Sequence, residues 1–183
     1  MNIEFPSEEV IESYVHEQVS SGNLCPITDE QYESSFRQVS MGRYGRADLV
    51  RTQYLGCDTH LIQVVELKNF PLKASDICQL CRYMRAMEKA MSEYMGDGFE
   101  VSGILAGPID ARNSELSWVI ENLTNIDVYD ISCSLEHGFQ AELIPEGWHY
   151  SGEDLSGLSV ISETAIQNCP VMPPKRLALV KPE

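Results

Sequence analysis

From Ala74 to Tyr94, apolar residues fall at Ile77, Leu80, Met84, Met87, Met91 and Tyr94, at spacings of three or four that wind a single stripe along one helix. Gly96 and Gly98 end it. The segments on either side follow a different period. Upstream, LIQVVELKNF alternates, with Ile62, Val64, Glu66 and Lys68 on one face and Leu61, Val65 and Leu67 on the other. Downstream, Val101 to Ala106 is apolar throughout, as a strand covered on both faces would be.

The remaining elements arrange themselves around this unit. Val10, Ile11, Tyr14, Val15 and Val19 recur at helical spacing over Glu8 to Val19, with Ser7 placed to cap the helix. Strand character over about 33 to 41, 46 to 53 and 60 to 68, with turn signals at Gly42, Gly45, Gly56 and Asp58, predicts a three-stranded meander. Glu115 to Leu123 reads as a short amphipathic helix, and Ile126 to Ile131 and Phe139 to Ile144 as two further strands. The expected class is α/β with a mixed sheet, in the order α-β-β-β-α-β and then α-β-β. We expect one domain over residues 1–150. Residues 151–183, with Pro170, Pro173 and Pro174, form an extension packed on it or used for partner contact.

Length and composition bound the function. A chain of 183 residues that is 43% hydrophobic can close one full core. The sequence supports neither a signal peptide nor a membrane span, so a soluble, cytoplasmic protein is expected. Six cysteines in a chain of this size favour free thiols over a disulfide framework. The net charge of -15 argues against a general affinity for nucleic acid. Residues 34–90, however, hold nine basic groups against five acidic ones, a local +4 that leaves -19 for the remainder.

Chemistry concentrates at the end of the third strand. Glu66 and Lys68 are charges on an otherwise buried face, and burial of either requires a partner or a metal ion. The plain alternative is an ion pair where a strand emerges into solvent. Asp48, in the middle of GRADLVRT, would be brought beside Glu66 by an antiparallel neighbour. Two adjacent carboxylates raise one another's pKa unless a cation lies between them, and such oxygen donors suit Mg²⁺ or Mn²⁺. Lys68 could orient or deprotonate a water and stabilise charge on a phosphate.

With GRADLV, then VVELKN, then QLCRYM in the following helix and VSGILAG after it, the chain from about Glu8 to Ala106 resembles the PD-(D/E)xK endonuclease superfamily, in its RecB-like and NucS-like branch. The resemblance implies a restriction-endonuclease-like core and a nuclease hydrolysing phosphodiester bonds of DNA by a metal-activated water, with Mg²⁺ or Mn²⁺ as cofactor. It makes Asp48, Glu66 and the backbone carbonyl of Leu67 metal ligands and Lys68 the water-activating lysine. Gln79 and Tyr83, one helical turn apart, match a QxxxY element facing the active site. A first-helix glutamate is also implied, either Glu8, which fits the spacing best, or Glu12, though each can equally be a solvated charge or a complement to the helix dipole. Arg43 and Arg46 flank the first hairpin and, with Arg82, are candidates for phosphate contacts.

Other signals are weaker. Cys78 and Cys81 lie inside a helix without a second pair for zinc, and Cys133 and Cys169 stand too far apart for the iron-sulfur arrangement of some RecB-like nucleases, so no cluster is expected. The histidines are scattered, and no Walker loop is present. The competing readings are a catalytically inactive module of the same fold that binds nucleic acid or a protein partner, and an acidic interaction protein. A homodimer or a protein partner could supply the basic surface that most of the chain lacks.

Overall fold

The computed structural model describes residues 6–22, 27, 32–110, 116, 119–120, 123–134 and 138–144. Its elements are α1 (Glu8–Ser20), β1 (Ser34–Ser40), β2 (Arg46–Gly56), β3 (Thr59–Leu67), α2 (Ala74–Met95), β4 (Phe99–Gly107), β5 (Ile126–Ser134) and β6 (Gly138–Leu143). A 3₁₀ turn, Gly42–Tyr44, joins β1 to β2. The strands form one six-stranded sheet in chain order. β1, β2 and β3 make the expected antiparallel meander, β3, β4 and β5 run parallel, and β6 returns antiparallel. The protein is thus of the mixed α/β class.

A helix covers each face of the sheet. Ile11, Val15 and Val19 of α1 pack against Leu49, Val65, Leu67 and Ile104. Ile77, Leu80, Met84, Met87 and Met91 of α2 pack on the other face, against Val50, Ile62, Val64, Val101 and Leu105. The alternation in β3 therefore splits as its sequence requires, Val64 toward α2 and Val65 toward α1. β4 carries an apolar residue on each face for the same reason. Gly103 lets α2 approach, because a Cβ there would stand 2.6 Å from Met84 Sδ. The hairpin between β2 and β3 turns on Cys57 and Asp58, both at positive φ (52 and 60), a two-residue turn whose twist matches the flanking strands.

Two local expectations fail. Ser7 occupies the cap position of α1, but its hydroxyl makes no capping bond; its carbonyl accepts from the Val10 and Ile11 N–H groups instead. Glu8 and Glu9 in the first turn leave the helix dipole complemented without it. Tyr94, read as the last residue of the buried stripe, is 75% exposed, because the stripe passes from Met91 to Met95, four residues on, which packs on the core in its place. Of the helix expected over 115–123, Leu116, Val119 and Ile120 are helical and buried on the α2 side, and Leu123, past the helix, packs on the same core with its N–H donating to the Ile120 carbonyl; residues 115, 117–118 and 121–122, and those after Ile144, lie outside the described residues. Cys57, Cys78, Cys81 and Cys133 are free thiols, and Cys25 and Cys169 fall outside the described residues. Among the described residues no helix is long and apolar enough to cross a membrane.

Candidate active site

β2 and β3 part company where the charged residues begin. Their pairing runs from the hairpin down to Leu49↔Val65 and no further, although β2 starts at Arg46 and β3 ends at Leu67. In the wedge, Asp48 does the work of a strand: its Oδ2 accepts the Leu67 N–H at 2.7 Å. On its other edge β3 remains paired with β4, the Lys68 N–H reaching the Ala106 carbonyl at 2.8 Å. The opening lies at the carboxyl ends of parallel strands, where open α/β sheets characteristically bind ligands.

Glu66 is the centre of the arrangement. It is 2% exposed, and two donors converge on one of its oxygens: Lys68 Nζ at 2.5 Å and Gln79 Nε2 at 2.7 Å, both to Oε1. Its other oxygen, Oε2, is buried without a hydrogen-bond partner among the described residues. Lys68 is also buried, so the pair is not the solvated strand end that the plain alternative supposed. Gln79 extends the chain to Tyr83, whose hydroxyl lies 2.9 Å from Nε2. Tyr83 is fixed in turn by Gly45, where a Cβ would come within 2.8 Å of the Tyr83 hydroxyl, and whose φ of 113 suits glycine alone. The turn bearing Arg43 is thereby seated against the site helix.

The electrostatics follow from the burial. Removal from water raises Asp48 from 3.8 to about 6, against the opposing Leu67 N–H bond and the Lys68 charge, with Glu12 and Glu8 adding to the rise. Burial and then the neighbouring Asp48 raise Glu66 from 4.5 to about 7, against the pull of Lys68. For Lys68, burial alone would lower the pKa, but the Glu66 hydrogen bond and the charges of Glu66, Glu8 and Asp48 outweigh it and the ammonium is held above its ordinary value. The site thus has an excess of negative charge over what one lysine compensates.

The two helix glutamates separate clearly. Glu8 is half-buried, and its charge is felt by Asp48, Glu66 and Lys68. Glu12 is 3% exposed and already engaged, accepting from Arg37 Nε and Gln38 Nε2, each at 2.6 Å. Among the described residues no group of three or more His, Cys, Asp or Glu side chains is placed to hold an ion. The charge of Glu8 raises the pKa of Asp48, Glu66 and Lys68. Of the expected basic contacts, Arg43, Arg46 and Arg82 are exposed. Arg43 leans on Tyr44, donating to its hydroxyl at 3.0 Å with the guanidinium 5.0 Å from the ring centroid. Cys81 packs against the α2-side core, and Cys78 is exposed.

Arg37 and Gln38 were not foreseen, because nothing in SSFRQVS marks a partner 25 or 26 residues away in the first helix. Asp130 was also passed over. It lies at the same end of the sheet, paired in register with Gly107, and accepts the Ile109 N–H at 3.0 Å, with burial raising its pKa. Compared with models of known families, with curated proteins and with solved structures, the chain matches none. The functional reading therefore rests on its own residues.

Proposed function

We propose that the protein is a divalent-metal-dependent nuclease that hydrolyses phosphodiester bonds, with DNA the substrate its motif resemblance implies. The observation that carries the reading is the state of Glu66: a buried carboxylate whose two donors share one oxygen, while the second meets no donor and the charge of Asp48 is felt by the group. An unpartnered acceptor of this kind disfavours the fold by about 1–3 kcal/mol or more, and a cation is the group that would satisfy it. Asp48 and Glu66, with the Leu67 carbonyl between Glu66 and Lys68, form a hard oxygen set. Mg²⁺ is commonly held by one or two protein carboxylates, with water and substrate phosphate completing its coordination. Mg²⁺ or Mn²⁺ bound there would supply a water of lowered pKa and neutralise charge on the phosphate.

The chain's own residues would do the rest. Lys68, protonated at neutral pH, has N–H groups beyond the one given to Glu66, and these would orient a nucleophilic water and stabilise charge developing on a phosphate oxygen. Held as a cation in the metal-free site, it favours orienting the water over deprotonating it. Gln79 and Tyr83 hold Glu66 Oε1 in place, and Arg43 and Arg46 would meet the substrate backbone beside the opening.

The test is a cleavage assay with Mg²⁺ and Mn²⁺ on linear, single-stranded, flapped and mismatched DNA and on RNA, comparing wild type with Lys68→Ala and Asp48→Asn. Metal-dependent cutting that both substitutions abolish is expected. Binding without cutting, unchanged in the two variants, would instead identify an inactive module of the same architecture.

A further inference from the structure

The register of β1 on β2 is continuous except at one position. Arg37 pairs with Leu49 and Val39 with Ala47, but the pair between them, Gln38 and Asp48, is missing. Gln38 has a φ of 51, a left-handed conformation that a residue with a long side chain keeps only when its surroundings impose it. Both strands change face across this point. Leu49 packs on the α1 side and Ala47 on the α2 side, although residues two apart in a regular strand share a face. Opposite them, Arg37 reaches Glu12 on α1 while Val39 packs into the α2-side core.

A side chain at such an exchange point lies near the plane of the sheet and not along its normal. That direction is the one Asp48 takes when its carboxylate meets the Leu67 N–H of the neighbouring strand. What holds the exchange in place is equally specific. The Gln38 amide is tied to Glu12 Oε2 at 2.6 Å, and Arg37 takes Oε1 at the same distance, so a buried carboxylate on α1 fixes two successive residues of β1. We infer that Glu12 and Gln38 are positioning residues for Asp48: their hydrogen bond holds the left-handed turn of β1 that aims the Asp48 carboxylate at Leu67 and at the side of Glu66. This rests on the proposed function only for its effect on metal binding; the aim of Asp48 can be read without any metal.

The Leu67 amide reports that aim directly, since its protection from hydrogen exchange depends on Asp48 Oδ2. Two variants separate side chain from backbone. Gln38→Gly accepts the positive φ without strain but lacks the tie, and Glu12→Leu removes both acceptors at similar volume. In both, Leu67 amide exchange measured by NMR should accelerate about tenfold, with Val101 and Ile104 of β4 unchanged, and Mn²⁺ affinity measured by calorimetry should fall by about tenfold or more. Asp48→Ala should produce the same acceleration. Unchanged Leu67 exchange in Gln38→Gly and Glu12→Leu, beside acceleration in Asp48→Ala, would overturn the inference; so would an amide indifferent to Asp48→Ala. A wild-type protein that binds no Mn²⁺ but shows the Leu67 response would retain the positioning role and remove the metal reading.

Discussion

Asp48 and Glu66 are held in the fold at pKa values above their ordinary ones, and this ties the stability of the metal-free protein to pH. A carboxyl group whose folded pKa is raised binds more protons in the native than in the unfolded state, so its contribution is fully present below about pH 4 and is lost as the pH rises through the folded values. Those values are about 6 for Asp48 and about 7 for Glu66. The melting temperature of the metal-free protein should therefore fall between about pH 5 and pH 8, and Mg²⁺ or Mn²⁺ should restore it by preferring the ionised pair. Asp48→Asn keeps an acceptor for the Leu67 N–H without the charge. It should stabilise the metal-free protein by about 1 kcal/mol near pH 8, below the roughly 3 kcal/mol that the full displacement of Asp48 represents, and the gain should vanish near pH 4. Denaturant titrations at the two pH values check this; equal effects at both would mean that Asp48 is not the strained charge. Lys68→Met has the opposite sense. It deprives Glu66 of its cation, and should destabilise by about 2 kcal/mol or more near pH 8 and by less near pH 5.5, where Glu66 is neutral.

At the scale of elements, the glycine-bearing turn between β1 and β2 and the helix α2 meet at Gly45 and Tyr83. Gly45→Ala would force a Cβ against the Tyr83 hydroxyl and a side-chain-bearing residue into φ 113. A destabilisation of about 2–4 kcal/mol is expected, with the proposed nuclease activity reduced because Tyr83 no longer steadies Gln79. Tyr83→Phe removes the hydroxyl and about 1 kcal/mol with it. In the double variant the clash is gone while the backbone strain remains, so the combined loss should be smaller than the sum by about 1 kcal/mol. Strict additivity in thermal or chemical unfolding would show that Gly45 is required for its φ alone. The meander, α2 and β4 were legible because each is written in a local period that burial on known faces reinforces. Glu66 and Lys68 were legible because they fall where charges break an apolar face, whereas Gln79 and Tyr83 came only with the motif resemblance, since two polar residues a turn apart beside a stripe are ordinarily boundary residues. The face exchange at Asp48 was not. It is set by a left-handed Gln38 held from α1, a contact that no window along β1 contains. Ser7 and Tyr94 misled for the same reason: local propensity and period give the residue, and tertiary cover decides its surroundings.

For the whole molecule, the issue is how a chain of net charge -15 would hold a polyanion. The acidic excess lies outside residues 34–90, and the exposed Arg43 and Arg46 flank the Gly45 turn that is seated on the site helix. Nucleic acid would then be gripped by few phosphate contacts and repelled by most of the remaining surface, which gives weak binding with a shallow salt dependence. Each phosphate neutralised on a duplex contributes about 0.9 to the slope of log K against log salt. With Arg43, Arg46 and Arg82 as the exposed contacts, the slope should be no steeper than about 3. Arg43→Ala with Arg46→Ala should reduce it by about 2, uniformly across sequences, since phosphate contacts position the substrate without reading bases. Fluorescence anisotropy of labelled DNA over a salt series, with Ca²⁺ replacing Mg²⁺ to prevent turnover, gives the slope. A value well above 3 that survives the double substitution would place the cationic surface elsewhere, on a second copy of the chain or on a protein partner. The same titration repeated over a range of protein concentrations separates those two, because only self-association makes the apparent affinity rise with the concentration of this chain alone.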